Sequence, residues 1–200
     1  MPDKLLLATN NRGKARELKE LLRELPMELV LPGELGITAG VEETGGTFEE
    51  NAKIKATALA RRSGLLALAD DSGLEVDALG GEPGPLSARY AGEGASDKER
   101  VDYLLAKLKG VPREKRTARF RCVIAIATPE GKVELCFGEC QGLITFGPKG
   151  EKGFGYDPVF YFPGLEKTMA ELPLDVKNKV SHRGVAAREA VEYLRRKYKL

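Results

Sequence analysis

Apolar residues recur along this chain with two distinct periods. Lys4–Ala8 and Leu65–Ala69 are short, nearly continuous apolar runs, the signature of strands buried on both faces. Between Gly13 and Leu25 the pattern changes, and Ala15, Leu18, Leu21, Leu22 and Leu25 fall on one helical face. Glu28–Leu31 reads as a further short strand. Thr47 with Glu50 has the spacing of a capping box, and Gly64 closes the helix it opens. Ser96 with Glu99 opens another helix, which carries Val101, Leu104, Leu105 and Leu108 and stops at Gly110. Ala118–Thr128 and Lys132–Glu139 form a hairpin pattern around Pro129-Glu130-Gly131, and Gly142–Phe146 extends that sheet. A glycine-rich loop, Gly147–Gly155, leads to a strand at Val159–Phe162 and a last helix from about Gly184 to Tyr198. Helices alternating with strands, plus a long central hairpin, predict an α/β fold with a mixed sheet. Two lobes with a cleft between them, within one domain spanning 1–200, are the expected organisation.

Composition narrows this picture. A 200-residue chain with 42% hydrophobic residues can bury a real core. No run approaches the roughly 18 apolar residues of a membrane helix, and Leu5-Leu6-Leu7 is too short for a signal peptide. A soluble cytoplasmic protein is expected. The net charge of +2 lacks the basic excess of a nucleic-acid binder. Arg195-Arg196-Lys197 and Lys199 sit where they complement the last helix's dipole. Three cysteines, Cys122, Cys136 and Cys140, argue against a disulfide framework. With His182 as the single histidine, they read as buried thiols, not zinc ligands.

Five segments could carry chemistry. Thr9-Asn10-Asn11-Arg12-Gly13-Lys14 joins a buried strand to a helix N-terminus, where unpaired N–H groups and a lysine suit an anion. It is not a P-loop: Ala8 and Ala15 stand where that pattern needs Gly and Ser or Thr. A magnesium ion would then have to be held by carboxylates elsewhere. Asp70-Asp71-Ser72-Gly73 reads as an acidic turn at the end of a strand, where adjacent carboxylates call for a hard cation; an ordinary polar turn is the competing reading. Glu42-Glu43, ahead of the helix with Lys53 and Lys55, either completes the metal shell or complements the helix dipole. Phe154-Gly155-Tyr156-Asp157 combines a stacking face with close backbone approach, or else forms a tight turn around a core Phe. Lys177 and Ser181-His182-Arg183 precede the last helix and could donate to a phosphate and to a carbonyl oxygen.

In this order and spacing, the segments resemble the Ham1/RdgB family of inosine triphosphate pyrophosphatases. The match runs nearly the whole chain. Ala69-Asp70-Asp71-Ser72-Gly73-Leu74, Gly80-Gly81, Pro83-Gly84, Ser87-Ala88-Arg89-Tyr90 and Phe154-Gly155-Tyr156-Asp157-Pro158 look like the bacterial branch. The resemblance implies an elongated mixed sheet with flanking helices, a substrate cleft and a homodimer. It implies hydrolysis of ITP, dITP and XTP to the monophosphate and pyrophosphate. Glu43 and Asp71 would hold Mg²⁺, with Asp70 or Glu42 as further ligands or supports, and Asp71 would be the general base. Lys14, Lys55 and Lys177 would clamp the phosphates, with Thr9, Asn11 and Ser72 nearby. His182 and Arg183 would read the C6 carbonyl of the base, and Asp157 or the nearby backbone would contribute to excluding guanine.

Three other readings fit less of the sequence. A Maf-like pyrophosphatase of different base preference would lack Ser181-His182-Arg183. A non-catalytic nucleotide sensor gains nothing from carboxylates at 42, 43, 70 and 71. A single-strand nucleic-acid binder is disfavoured by the near-neutral charge and the absence of Trp.

Overall fold

The structure, a computed structural model, describes residues 2–38 and 40–200. Its strands are β1 (Lys4–Leu7), β2 (Glu28–Val30), β3 (Leu66–Val76), β4 (Thr117–Ala127), β5 (Val133–Ile144), β6 (Phe160–Phe162) and β7 (Lys167–Thr168). Its α-helices are α1 (Arg12–Leu21), α2 (Phe48–Ser63), α3 (Asp97–Lys107), α4 (Leu174–Val180) and α5 (His182–Tyr198). The strands form one seven-stranded sheet in the order β2-β1-β3-β4-β5-β6-β7. β1 runs parallel to β2 and β3, whereas β6 is antiparallel to β5 and β7. The sheet is therefore mixed, as the periodicity predicted.

The chain divides into two compact units. One comprises the described residues of Met1–Asp71, with Cys122–Gly138 and His182–Leu200; the other comprises Ser72–Arg121 and Glu139–Ser181. In the first unit the pleat sorts side chains to two faces. Leu5, Leu7, Leu66 and Leu68 pack with Leu18 and Leu22 of α1 and Ala186, Ala187, Ala190 and Leu194 of α5. Leu6, Ala8, Ala67 and Ala69 pack with Phe48, Ala52, Ala56, Leu59 and Ala60 of α2. Small residues line both sides of the α2 contact. Gly138 of β5 has the same purpose opposite α5: a Cβ there would lie 2.0 Å from the His182 carbonyl oxygen and 2.5 Å from the Ala186 nitrogen. In the second unit, Leu74, Val76, Val101, Leu104, Leu108, Phe120 and Phe160 form a separate core.

The helix signals hold with small shifts. Thr47 Oγ1 accepts from the Glu50 N–H at the start of α2, but the Glu50 carboxylate accepts from Gly46 N, so the box is displaced by one residue. Gly64 closes α2 in the left-handed conformation, and Ser96 with Glu99 forms the full reciprocal box of α3. α1 ends at Leu21, short of the expected Leu25. α5 begins at His182, two residues early. The short helix α4 and the two-residue β7 are not marked by any apolar period.

One expectation is corrected in kind. Asp70-Asp71-Ser72-Gly73 is not a turn at a strand end. β3 continues through it to Val76. Ser and Gly are turn formers, but pairing within the sheet overrides that propensity here.

Candidate active site

The strand's alternation decides what the two aspartates can do. Asp70 follows Leu66 and Leu68 in parity and projects to the face covered by α1 and α5. Asp71 follows Ala67 and Ala69 and projects to the face covered by α2. Adjacent carboxylates are thus placed back to back, and each meets a different set of cations.

Asp70 is 1% exposed. Its Oδ2 accepts from Nε and Nη2 of Arg183 at 3.2 and 3.0 Å, and Lys14 Nζ lies 3.1 Å away. Arg183 Nη1 reaches Glu17 Oε2 at 2.6 Å. Glu17 and Arg183 are both buried, so a guanidinium bridges two buried carboxylates. Burial alone would raise the Asp70 carboxyl; Lys14, Arg183 and Lys55 reverse this and hold it well below the usual range. Asp70 is therefore a fixed anion. Folding favours its ionised form, so the unfolded chain takes up that proton first as pH falls. Its contribution is present above about pH 4 and is lost below it. Replacing Asp70 with Asn is expected to flatten the fall in unfolding free energy between about pH 5 and 2, measured by urea titration at each pH.

Asp71 is in a different condition. Lys55 Nζ lies 3.2 Å from Asp71 Oδ1, 3.0 Å from Glu43 Oε1 and 2.8 Å from the Asp70 carbonyl oxygen. Asp71 Oδ2 is buried and has no hydrogen-bond partner among the described residues. Burial pushes the Asp71 carboxyl up, and Glu43 adds to this, against the opposing pull of Lys55 and Lys14. An unpaired buried carboxylate oxygen is costly in a purely structural role and is suited to a further cation or a proton. Glu43 and Asp71 both offer hard oxygen donors to this point. Among the described residues no three His, Cys, Asp or Glu side chains gather as a metal cluster. A pair of carboxylates nevertheless fits magnesium, which commonly takes one or two from the protein and the rest from water and phosphate.

The loop before α1 contributes mainly geometry. Asn11 Oδ1 caps the helix by accepting from Lys14 N at 3.0 Å, and Thr9 Oγ1 accepts from Asn11 N at 3.1 Å. Asn10, Asn11 and Arg12 are exposed, whereas Lys14 is turned back onto Asp70. His182, 4% exposed, is the first residue of α5.

In the second unit, Ser72 is half-buried on β3. The Phe154–Asp157 loop is built tightly around Asp157, whose Oδ2 accepts from Phe154 N at 2.9 Å and pairs with Lys177. Gly153 is obligatory here, since a Cβ would lie 2.0 Å from that same oxygen. The Lys177 ammonium stands 4.9 Å from the centre of the Phe154 ring. Gly155 N donates to Asp97 Oδ2 at 2.7 Å, and the Tyr156 hydroxyl donates to the Ser87 carbonyl at 2.9 Å. The loop is thus fixed by α3 and by the Ser87 segment.

Sequence reading missed Glu17, Asn51 and Asp97. Glu17 had one signal, a carboxylate beside the apolar stripe of α1. Asn51, fully buried, accepts from Gly45 N at 2.9 Å and holds the loop that carries Glu43. Its signal was its place one helical turn before Lys55. The three cysteines are free and buried, and burial pushes the Cys122 thiol up to about 12.

The mixed sheet divides a carboxylate pair between its two faces, and its fold is shared by known proteins. Residues 5–193 match the Ham1 family. A relative from Desulforamulus reducens, named dITP/XTP pyrophosphatase, is 54% identical over 195 residues, 98% of this chain and 97% of its own. One of the same name from Bacillus subtilis is 47% identical, over 94% of this chain and 96% of its own. The solved Ham1 protein of Staphylococcus aureus superposes with a TM-score of 0.86 at 43% identity, covering 97% of this chain and 99% of that one. A HAM1 protein from Coxiella burnetii gives 0.87 at 43% identity, covering 96% and 98%. The chain belongs to the Ham1 family.

Proposed function

We propose that this chain hydrolyses non-canonical purine nucleoside triphosphates (ITP, dITP and XTP) to the monophosphate and pyrophosphate. The observation that carries the reading is the unpaired Asp71 carboxylate oxygen, buried beside Glu43 and Lys55. The names of the relatives supply the substrate class. No helix among the described residues is long and apolar enough to cross a membrane. A cytoplasmic homodimer that cleanses the nucleotide pool is the setting we propose.

Glu43 and Asp71 would hold Mg²⁺, which when bound neutralises charge on the phosphates and on the departing pyrophosphate. Asp71 would take the proton of the water that attacks the α-phosphorus. Lys14 and Lys55 present ammonium groups on either face of β3 for the phosphate oxygens. Lys177 is neutralised by Asp157 beside Phe154, so we assign it to shaping the base-stacking loop. His182 would donate to the C6 carbonyl of hypoxanthine or xanthine; adenine would meet it with an amino group, donor to donor. Arg183, engaged with Asp70 and Glu17, would act by fixing that helix start.

Turnover of ITP in ¹⁸O-labelled water tests the chemistry. The label is expected in the monophosphate, with pyrophosphate released unlabelled. Orthophosphate release, or label in pyrophosphate, would overturn attack at the α-phosphorus.

A further inference from the structure

Lys55 occupies an unusual position. Its ammonium makes contacts of 2.8 to 3.2 Å with the Asp70 carbonyl, Glu43 Oε1 and Asp71 Oδ1. Three hard oxygens around one compact cation are the donor set a divalent metal would use. The arrangement is held from both sides. Asn51, one turn earlier on α2, accepts from Gly45 N, and a Cβ on Gly45 would lie 2.6 Å from Glu50 Cβ and 2.7 Å from Asn51 Oδ1. The loop carrying Glu43 is thereby docked against the helix that carries Lys55. The Lys55 side chain is 12% exposed, so water screens its charge poorly. Asp70 is paired with Lys14 and Arg183, whereas the direct ion pairs of Lys55 are with Glu43 and Asp71.

We propose that Lys55 is a tethered competitor for the divalent cation: its ammonium occupies the Glu43–Asp71 carboxylates of the free protein and keeps metal affinity low. Triphosphate oxygens offer Lys55 another anionic partner. Nucleotide and metal then favour each other's binding, a reciprocal coupling set by this lysine. The inference rests on the reading of Glu43 and Asp71 as metal ligands.

The test is Mn²⁺ binding to the full chain without nucleotide, read from the electron paramagnetic resonance of free Mn²⁺. Lys55→Gln is expected to bind Mn²⁺ at least about tenfold more tightly than the unchanged chain, because a nearby like charge is removed from a poorly screened site. Lys55→Met, which keeps the aliphatic stem, is expected to do the same. Lys55→Arg, which keeps the charge, should stay within about threefold of the original affinity. Melting curves give a second readout. Without metal, Lys55→Gln should unfold at a lower temperature, and its Mn²⁺-dependent rise should be the larger. Equal or weaker Mn²⁺ binding in folded Lys55→Gln and Lys55→Met would overturn the inference. If Asp71→Asn leaves Mn²⁺ binding unchanged in both backgrounds, or if no chain binds the ion, the metal-site reading fails and this inference with it.

Discussion

Arg183→Met is expected to lower the unfolding free energy by about 3–5 kcal/mol, seen as a lower urea midpoint at unchanged slope. The size follows from what the guanidinium touches. It is 2% exposed and bridges Asp70 and Glu17, themselves buried at 1% and 3%. Removing it leaves two carboxylates in a poorly solvated place, with Lys14 still beside Asp70. Such a loss exceeds what the pair contributes when intact, because uncompensated buried charge is the costly state. Arg183→Lys should recover only part of the loss, since one ammonium cannot reproduce contacts to Asp70 through Nε and Nη2 and to Glu17 through Nη1. A loss below about 1 kcal/mol would mean that the network does not hold the two helices to β3 as described.

Asp71→Asn is expected to separate activity from stability. Pyrophosphate release should fall about 10³-fold or more, because the same carboxylate is assigned both proton transfer and metal binding. Folding stability should change by no more than about 1 kcal/mol. The carboxylate is disfavoured by burial and its Oδ2 has no partner among the described residues, so an amide relieves one cost while it gives up the pairing with Lys55. Retention of more than a few per cent of activity would remove Asp71 as the base. An equal fall in stability would mean that it is a structural residue like its neighbour Asp70.

The contrast between those neighbours marks the limit of the sequence. Periodicity located the longer strands, the longer helices and the hairpin, because each buries a face whose repeat is written in the apolar residues. Short polar motifs and the family resemblance, not the periodicity, brought Lys14, Glu43, Lys55 and Asp71 forward as candidates. Periodicity could not divide Asp70 from Asp71, because that depends on a strand continuing where composition favours a turn. Once β3 passes through Asp70 and Asp71, parity alone sends one to α1 and α5 and the other to α2. Glu17 and Asn51 escaped notice for a related reason. Each is a single polar residue on a buried helical face, and its partner (Arg183, 166 residues away; Gly45, six residues away) is defined only by the tertiary fold. Lys177 was legible as a functional cation but not as the counter-ion of Asp157, a pairing made by the short helix α4 that no apolar period announces.

The central claim is that this chain removes pyrophosphate from the non-canonical purine triphosphates ITP, dITP and XTP. The most direct test is the specificity constant of the full chain, with Mg²⁺, for ITP, dITP and XTP against ATP, GTP and dUTP. A buried donor that meets an amino group where it requires a carbonyl discriminates by about 10²-fold or more. The account predicts that ITP, dITP and XTP each exceed ATP by at least that margin, with pyrophosphate as product. Equal specificity constants for ITP and ATP would contradict it.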